Sequence, residues 1–216
     1  RAELGRRSVR SSAVTLAARV AQMVLFLGSA MVLARLLTPS DFGVQAMVLP
    51  LTILVNNLVN LGLQSAIIHR ERLDHREASA VFWFAMRINL GLTTLMAVGS
   101  PFLARWYGEP RVTWVCVAWA ATIFGASLSA IHEALLKRQL RFGLVMRVQV
   151  AAMAVSVIVA ISAAALGAGH WALMLQIVVM DLGRAAVMWI VFPWRPSVGA
   201  SSADARGVVT YWRGLS

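Results

Sequence analysis

The sequence predicts an all-α membrane protein, a bundle of six transmembrane helices. Hydrophobic residues make up 59% of its 216 residues, and charged residues make up 13%. In a soluble domain about a quarter of the residues are charged, because its surface is in contact with water. Apolar runs recur along the chain, each long enough to cross about 30 Å of hydrocarbon as a helix. These runs lack the alternation of barrel strands, so helices are the predicted spans.

The predicted spans follow one another with short turns between most of them. They are residues 13–37, 42–68, 78–103, 112–136, 144–166 and 170–192. A Thr-Pro-Ser-Asp turn precedes the second span, and we expect Ser40 or Asp41 to be its N-cap. A Gly-Ala-Gly turn at 167–169 joins the last two spans. Because this turn is so short, those two spans are expected to form an antiparallel hairpin.

Positive charge is concentrated on one side of the predicted bundle. The formal net charge is +11, and 13 of the 20 Lys and Arg residues lie in the N-terminal segment, in the loops after the second and fourth spans, and in the C-terminal tail. The other side has Arg105 and Arg111, with Arg35 at a helix end. Loops rich in Lys and Arg stay in the cytoplasm, so both ends of the chain are expected there. Topology thus explains most of the excess charge, and no nucleic-acid partner is expected.

Several arginines fall within the predicted spans, at different depths. Arg19 lies about 9 Å into the first span, where it either snorkels to the headgroups or faces a hydrated cavity. Arg87 lies about nine residues into the third span, where snorkelling is strained. That depth favours a side chain that faces a lumen or is paired. Arg147, near the start of the fifth span, is expected among the headgroups.

Amide side chains are prominent in the first two spans. Gln22 shares a polar stripe with Arg19 in the first span, and Asn56, Asn60 and Gln64 follow at i, i+4 and i+8 on one face of the second span. An unpaired amide in hydrocarbon is costly, so each needs a partner. These side chains either join neighbouring helices or line a hydrated path that binds sugar hydroxyls.

Three residues within the spans are candidates for ion coupling or charge balance. They are the acidic residues Asp181 and Glu133, together with Arg184, which is a neighbour of Asp181 on the same helix. Asp181 and Arg184 are spaced i, i+3 in the sixth span and are able to pair with each other. In the sharper interpretation, Asp181 titrates or balances a cationic cavity. His132 and Glu133 fall near the cytoplasmic end of the fourth span, where exposure is the simpler expectation.

The sequence has no residue pattern typical of an enzyme. It lacks paired carboxylates, a nucleophile elbow, a Walker loop and an H-E-x-x-H motif. Its four histidines are scattered without metal-ligand spacing, and Cys116 is the single cysteine. We therefore expect no catalytic residue, no metal site and no cofactor. Several cations inside a helical bundle point to transport.

Four runs resemble motifs of one transporter family, in that family's order and spacing. They are LARLLTPSDFG at 33–43, LGLQSAIIHR at 61–70, KRQLRF at 137–142 and PWRP at 193–196. The family is the Wzx-type oligosaccharide flippases, in particular the branch of colanic-acid and teichuronic-acid exporters within the multidrug/oligosaccharidyl-lipid/polysaccharide exporter superfamily. Asn60 departs from the pattern, since many relatives have Asp there, and this weakens a proton-coupling role for that position.

The resemblance implies an N-terminal six-helix lobe of a two-lobed transporter. Residues 1–12 would then be a cytoplasmic segment, 13–193 the transmembrane lobe, and 194–216 a cytoplasmic linker toward a second lobe. Such proteins flip undecaprenyl-pyrophosphate-linked oligosaccharides across the bacterial cytoplasmic (inner) membrane by alternating access, often with ion coupling. Arg19 and Arg87 would bind the anionic cargo, because arginine grips phosphate and carboxylate oxygens through several donors.

The implied partners are the lipid-linked oligosaccharide, membrane lipids, and polysaccharide polymerase or assembly proteins. Two alternatives stay open from the sequence. One is a drug or other lipid exporter of the same superfamily. The other is a membrane scaffold for polysaccharide assembly that transports nothing, in which the polar side chains only hold helices together.

Overall fold

The computed structural model describes residues 2–60 and 75–197, except for the side chains of residues 2–14, 56, 58–60 and 77. Six helices run in chain order through these ranges: α1 (Ala2–Leu36), α2 (Pro39–Asn60), α3 (His75–Tyr107), α4 (Arg111–Arg138), α5 (Phe142–Ala165) and α6 (His170–Val191). No strand occurs in the described ranges. The prediction of an all-α protein is therefore confirmed.

Five of these helices are long and apolar enough to cross a membrane. Their candidate spans are Thr15–Leu36, Ala78–Tyr107, Arg111–Arg138, Phe142–Ala165 and His170–Val191. In α2, the apolar part found within the described residues is shorter, Pro39–Val55. The last part predicted for the second span, 61–68, lies outside the described residues. The described helices are those of a multi-pass membrane bundle.

Helix α4 lies at the centre of the bundle and α1 lies at its edge. α4 packs against α2, α3, α5 and α6, whereas the main contact of α1 is with α5. In the apolar window of α4, 56% of residues are buried, compared with 11% in that of α1. Gly125 allows α6 to approach α4 closely, since a Cβ atom there would lie 2.8 Å from Leu182 Cδ2 and 3.4 Å from the Asp181 carbonyl carbon.

Helix α2 begins with a capping box. The Thr38 backbone N–H and hydroxyl donate to Asp41 Oδ2 at 3.0 and 2.7 Å, and the Asp41 backbone N–H reaches Thr38 Oγ1 at 3.4 Å. The N-cap is therefore Thr38, and the expectation of Ser40 or Asp41 was wrong. The reason is Pro39, whose fixed φ suits the first helical position and leaves Asp41 at the third, from which it reaches back.

Asp41 also ties together the turns at this end of the bundle. The His170 backbone N–H, at the start of α6, donates to Asp41 Oδ1 at 3.0 Å. Arg111, at the start of α4, lies 3.9 Å from the same oxygen and pairs with Glu109 at 2.9 Å. The hydrogen bond from the Thr38 hydroxyl lowers the pKa of Asp41 against the opposing effect of burial, and the backbone N–H of His170 adds to the lowering.

At the opposite end of the bundle, residues 192–197 fold back over α3 and α4. Trp83 Nε1 donates to the Ser197 carbonyl at 3.1 Å, and the Ser197 N–H donates to Ser79 Oγ at 3.1 Å. The Arg195 guanidinium lies 5.0 Å from the centre of the Trp189 ring. The chain that leaves α6 is thus bound to the ends of two earlier helices.

Candidate substrate path and coupling residues

Arg19 and Arg87 lie on the outer surface of the bundle. Both are exposed, whereas Ala85 and Asn89, two residues before and after Arg87, are buried. Positions two apart on a helix point in nearly opposite directions, so Arg87 faces away from the packed side of α3. Among the described residues, neither arginine has a hydrogen-bond or ion-pair partner. A substrate path that used them would run along the surface of the bundle and not through its packed centre.

Arg87 is deep enough for its exposure to matter. It lies about 13.5 Å along the helix from Ala78, where the candidate span of α3 begins. A charged side chain at such depth is stable when it faces water, a partner group or a protein cavity. We therefore expect the surface of α3 around Arg87 to face water, a partner group or protein, and not hydrocarbon.

Gln22 belongs to a chain of polar side chains that crosses three helices, which we call the interhelical polar chain (Gln22, Gln149, Glu133 and Lys137). Gln22 Nε2 on α1 donates to Gln149 Oε1 on α5 at 3.5 Å, and Gln149 Nε2 donates to Glu133 Oε1 on α4 at 3.2 Å. Lys137 Nζ lies 2.7 Å from Glu133 Oε1. The sequence reasoning missed Gln149, because a lone amide in an apolar helix has no spacing that signals its partner.

Glu133 is buried, and the expectation of exposure was wrong. Its side chain is 11% exposed, although it lies about one turn from the end of α4. Neighbouring helices cover α4 up to its last turn, and Gln149 and Lys137 supply the donors that its carboxylate needs. A role for Glu133 in ion coupling or charge balance stays a prediction.

His132 is also buried, again contrary to expectation. Its Nε2 lies 3.2 Å from the Trp194 carbonyl oxygen, and its ring centre lies 4.8 Å from that of Trp189. The segment that folds back after α6 covers this end of α4, and it is distant in sequence. No local pattern around His132 reveals that cover, which is why its burial was not predicted.

Two further polar contacts involve α6, one with α1 and one within the helix itself. Gln176 Nε2 donates to Ser29 Oγ at 3.3 Å, which links α6 to α1. Arg184 Nη2 donates to Asp181 Oδ1 at 3.0 Å, so the pairing expected from their i, i+3 spacing is confirmed. Within the described residues, the ion-pair contact of Asp181 is with Arg184. A role for either residue in coupling or charge balance stays a prediction.

The structure describes few of the amide side chains in the predicted second span. Asn57 is exposed, the side chains of Asn56 and Asn60 are not described, and Gln64 falls in the undescribed stretch 61–74. Their roles in a polar path or in helix packing stay predictions. Across residues 2–60 and 75–197, no three His, Cys, Asp or Glu side chains are grouped to hold a metal ion, and Cys116 is a buried free thiol.

Comparison with known proteins places the chain in a family. A family model described as "Polysaccharide biosynthesis protein" matches residues 32–214. The chain belongs to this family. The match includes α2 to α6 and the end of α1, and therefore all the helices that surround α4. No solved structure matches the chain.

Two curated relatives share part of their length with this member of the family. The chain is 25% identical over 169 residues to the succinoglycan biosynthesis transport protein ExoT of Rhizobium meliloti (strain 1021), a match that covers 76% of the chain and 33% of the relative. It is 22% identical over 118 residues to an uncharacterized membrane protein in the cps region of Klebsiella pneumoniae, covering 55% of the chain and 24% of that relative. The matches thus span a third or less of these proteins. The chain is a membrane protein of a polysaccharide biosynthesis and transport family.

Proposed function

We propose that this chain is the N-terminal lobe of a transporter that flips undecaprenyl-pyrophosphate-linked oligosaccharide across the bacterial cytoplasmic membrane by alternating access, and that it is not an enzyme. The family and the relative named as a transport protein support this proposal. Both ends of the chain lie in the cytoplasm in this proposal, and residues 194–216 lead to the second lobe.

The observation that carries the proposal is the position of Arg87. It is exposed, lies deep in the span of α3, and has no partner among the described residues. A cation held at that depth is explained by a surface that faces a hydrated passage for an anion. Pyrophosphate and acidic sugars are anionic, and arginine binds such oxygens through a rigid fork of donors. Arg19, exposed on α1, is the second cation of this passage.

Coupling is assigned in this proposal to the interhelical polar chain. Glu133 is buried near the end of the central helix α4 and is reached from α1 through Gln149 and Gln22. A change in its charge would alter its bonds to Lys137 and Gln149, and the second of these is also the link to α1. Protonation or ion binding at Glu133 would thereby bias the position of the least buried helix.

The proposal is tested by Arg87→Ala and Arg87→Lys in the full-length protein, produced in a strain that lacks the native copy. We expect Arg87→Ala to reduce surface polysaccharide at least tenfold and to cause lipid-linked oligosaccharide to accumulate, with partial rescue by Arg87→Lys. Arg105→Ala is the matched control, since Arg105 is exposed in the last turn of the same helix. Normal export by a correctly inserted Arg87→Ala variant contradicts the cationic passage.

A scaffold that transports nothing is the second candidate, and the paired polar side chains favour it. Gln22 and Ser29 are both paired with side chains of other helices in the described part of the chain, as helix-joining groups would be. Single cysteines at positions 19, 56 and 87, in a Cys116→Ser background, separate the two candidates. A passage admits aqueous thiol reagents to these positions in the full-length protein, whereas a dry bundle protects all three.

A drug or other lipid exporter of the same superfamily is distinguished by its cargo. Deletion of a lipid-linked oligosaccharide flippase leaves the glycan on its lipid carrier at the inner face of the membrane. Deletion of a drug exporter leaves glycan assembly intact and raises sensitivity to the drug. Extraction of lipid-linked glycans from the deletion strain therefore decides between them.

A further inference from the structure

A groove runs between α1 and α5 on the surface of the lobe. Its volume is about 310 Å³, and its walls include Ala18 and Ala21 of α1 and Ala151 and Ala154 of α5. Small side chains at these positions leave the space between the two helices open. Arg147 is the charged residue in its lining.

The groove changes character along its length. Arg147 lies about 7.5 Å along the helix from Phe142, where α5 begins, and so at the depth of lipid headgroups. From Arg147 the lining continues for about 10 Å to Ala154, toward the middle of the bilayer. A cation at headgroup depth is thus followed by apolar walls at the depth of acyl chains.

No acidic side chain in the described part of the chain satisfies Arg147. Glu133 is an acidic residue close to α5, the helix that carries Arg147. Its carboxylate is bound by Lys137 and by Gln149 of α5, and not by Arg147. Arg147 is exposed and has neither a hydrogen bond nor an ion pair with the described residues. Within the described part of the chain, Arg147 is therefore open to a group supplied by the bilayer.

We propose that this groove binds an anionic phospholipid of the surrounding bilayer, with the phosphate at Arg147 and one acyl chain along the alanine-lined walls. An open groove at the depth of hydrocarbon is filled by hydrocarbon, and a basic side chain at the membrane surface attracts anionic lipid. One guanidinium matches the single charge of a phosphodiester, whereas a pyrophosphate carries more charge than one arginine balances. The lipid stabilises the contact between α1, the least buried helix, and α5.

The test uses the full-length protein in vesicles of phosphatidylethanolamine and phosphatidylglycerol that contain a photoactivatable phosphatidylglycerol, with a diazirine in its acyl chain. Labelled peptides are mapped by mass spectrometry. We expect the label within 18–21 and 146–154. Arg147→Gln is expected to reduce this labelling about fivefold, the effect of one basic side chain at a lipid surface, and Arg147→Lys to retain most of it.

Matched controls separate a site from a general attraction. Arg141→Gln removes an exposed arginine just before α5 that does not line the groove, and it is expected to leave the labelling unchanged. Ala151→Phe fills the groove and is expected to abolish the labelling, whereas Ala165→Phe, exposed at the other end of α5, is not.

Three results would overturn the proposal. The first is an equal loss of labelling in Arg141→Gln and Arg147→Gln, which would mean a diffuse attraction. The second is groove labelling that Arg147→Gln leaves intact. The third is displacement of the label by polyprenyl pyrophosphate at concentrations where added phosphatidylglycerol has no effect, which would mean that the groove serves the lipid carrier. All these substitutions are at the surface, and unchanged circular dichroism and gel-filtration volume confirm that the variants fold.

Discussion

Asp41 connects three turns that are far apart in the sequence. Its carboxylate accepts hydrogen bonds from Thr38, the N-cap of α2, and from the backbone N–H of His170. Arg111 lies near the same carboxylate. Gly169 is part of this arrangement, because its φ is +54° and a Cβ atom there would lie 3.2 Å from Asp41 Oδ1. The run at 33–43 that resembles the exporter motif thus has a structural explanation, since its Thr-Pro-Ser-Asp end holds one face of the bundle together.

Asp41→Asn is predicted to lower the stability of the full-length protein by about 1 to 2 kcal/mol near neutral pH, because charge-assisted hydrogen bonds are replaced by weaker ones. The pKa of Asp41 is lowered in the folded state, so its contribution is present above the unfolded pKa of about 3.9 and is lost as pH falls through the folded pKa. The midpoint of thermal unfolding in detergent, measured against pH, checks this.

The difference between wild type and Asp41→Asn should therefore be constant at neutral pH and shrink only below about pH 4. Ser40→Ala is the control, since Ser40 is exposed and accepts only one bond of this cluster, from Arg111 Nη2 at 3.0 Å. A difference that disappears between pH 5 and 7 would show that another group is responsible.

At the scale of the helices, the sequence predicts well where each span begins and ends. It predicts poorly which helices pack against one another. Hydropathy alone locates the ends of α4, α5 and α6 to within about two residues, because the length of a span is set by the bilayer. Burial of Glu133 and His132 depends on α5 and on the segment after α6, which no local pattern around them reveals. Gln22 is identified as polar from its sequence, but its partner Gln149 is 127 residues away.

The crossing of α4 and α6 depends on Gly125. Gly125→Val is predicted to destabilise the bundle by about 1 to 3 kcal/mol, because the new side chain would overlap Leu182 and approach the backbone at Asp181. Gly91→Val, on α3 with open space around it, is the matched control. Thermal unfolding of the purified variants measures the difference, and equal midpoints would contradict the close approach of these helices.

The attachment of α1 depends on polar contacts as well as on the buried side chains of Leu33 and Leu37. Gln149→Leu removes the link between Gln22 and Glu133, and it is predicted to speed hydrogen exchange in residues 15–25. The cost is about 0.6 kcal/mol, typical of a hydrogen bond between membrane helices. Gln139→Leu, exposed after α4, is the control. Unchanged exchange in α1 would mean that this hydrogen bond does not hold the helix.

At the scale of the whole molecule, the bundle is packed around α4 and leaves charged groups on its outside. Arg19, Arg87 and Arg147 are all exposed, while Gln22 and Ser29 are paired with side chains of neighbouring helices. The sequence predicts that cations lie within the spans. It does not predict which surface they occupy, because that depends on how all six helices pack. The proposed substrate path therefore lies on the outer surface of the bundle, where α1 and α3 present their arginines.

The central claim is tested most directly by transport in proteoliposomes. The full-length protein is reconstituted with fluorescent undecaprenyl-pyrophosphate-linked oligosaccharide, and an impermeant quencher reports which leaflet holds the sugar. We expect wild-type protein to move the sugar between leaflets, and Arg87→Ala to slow this movement at least tenfold while Arg105→Ala does not. Movement no faster than in protein-free vesicles, with protein shown to be folded and inserted, would contradict the account.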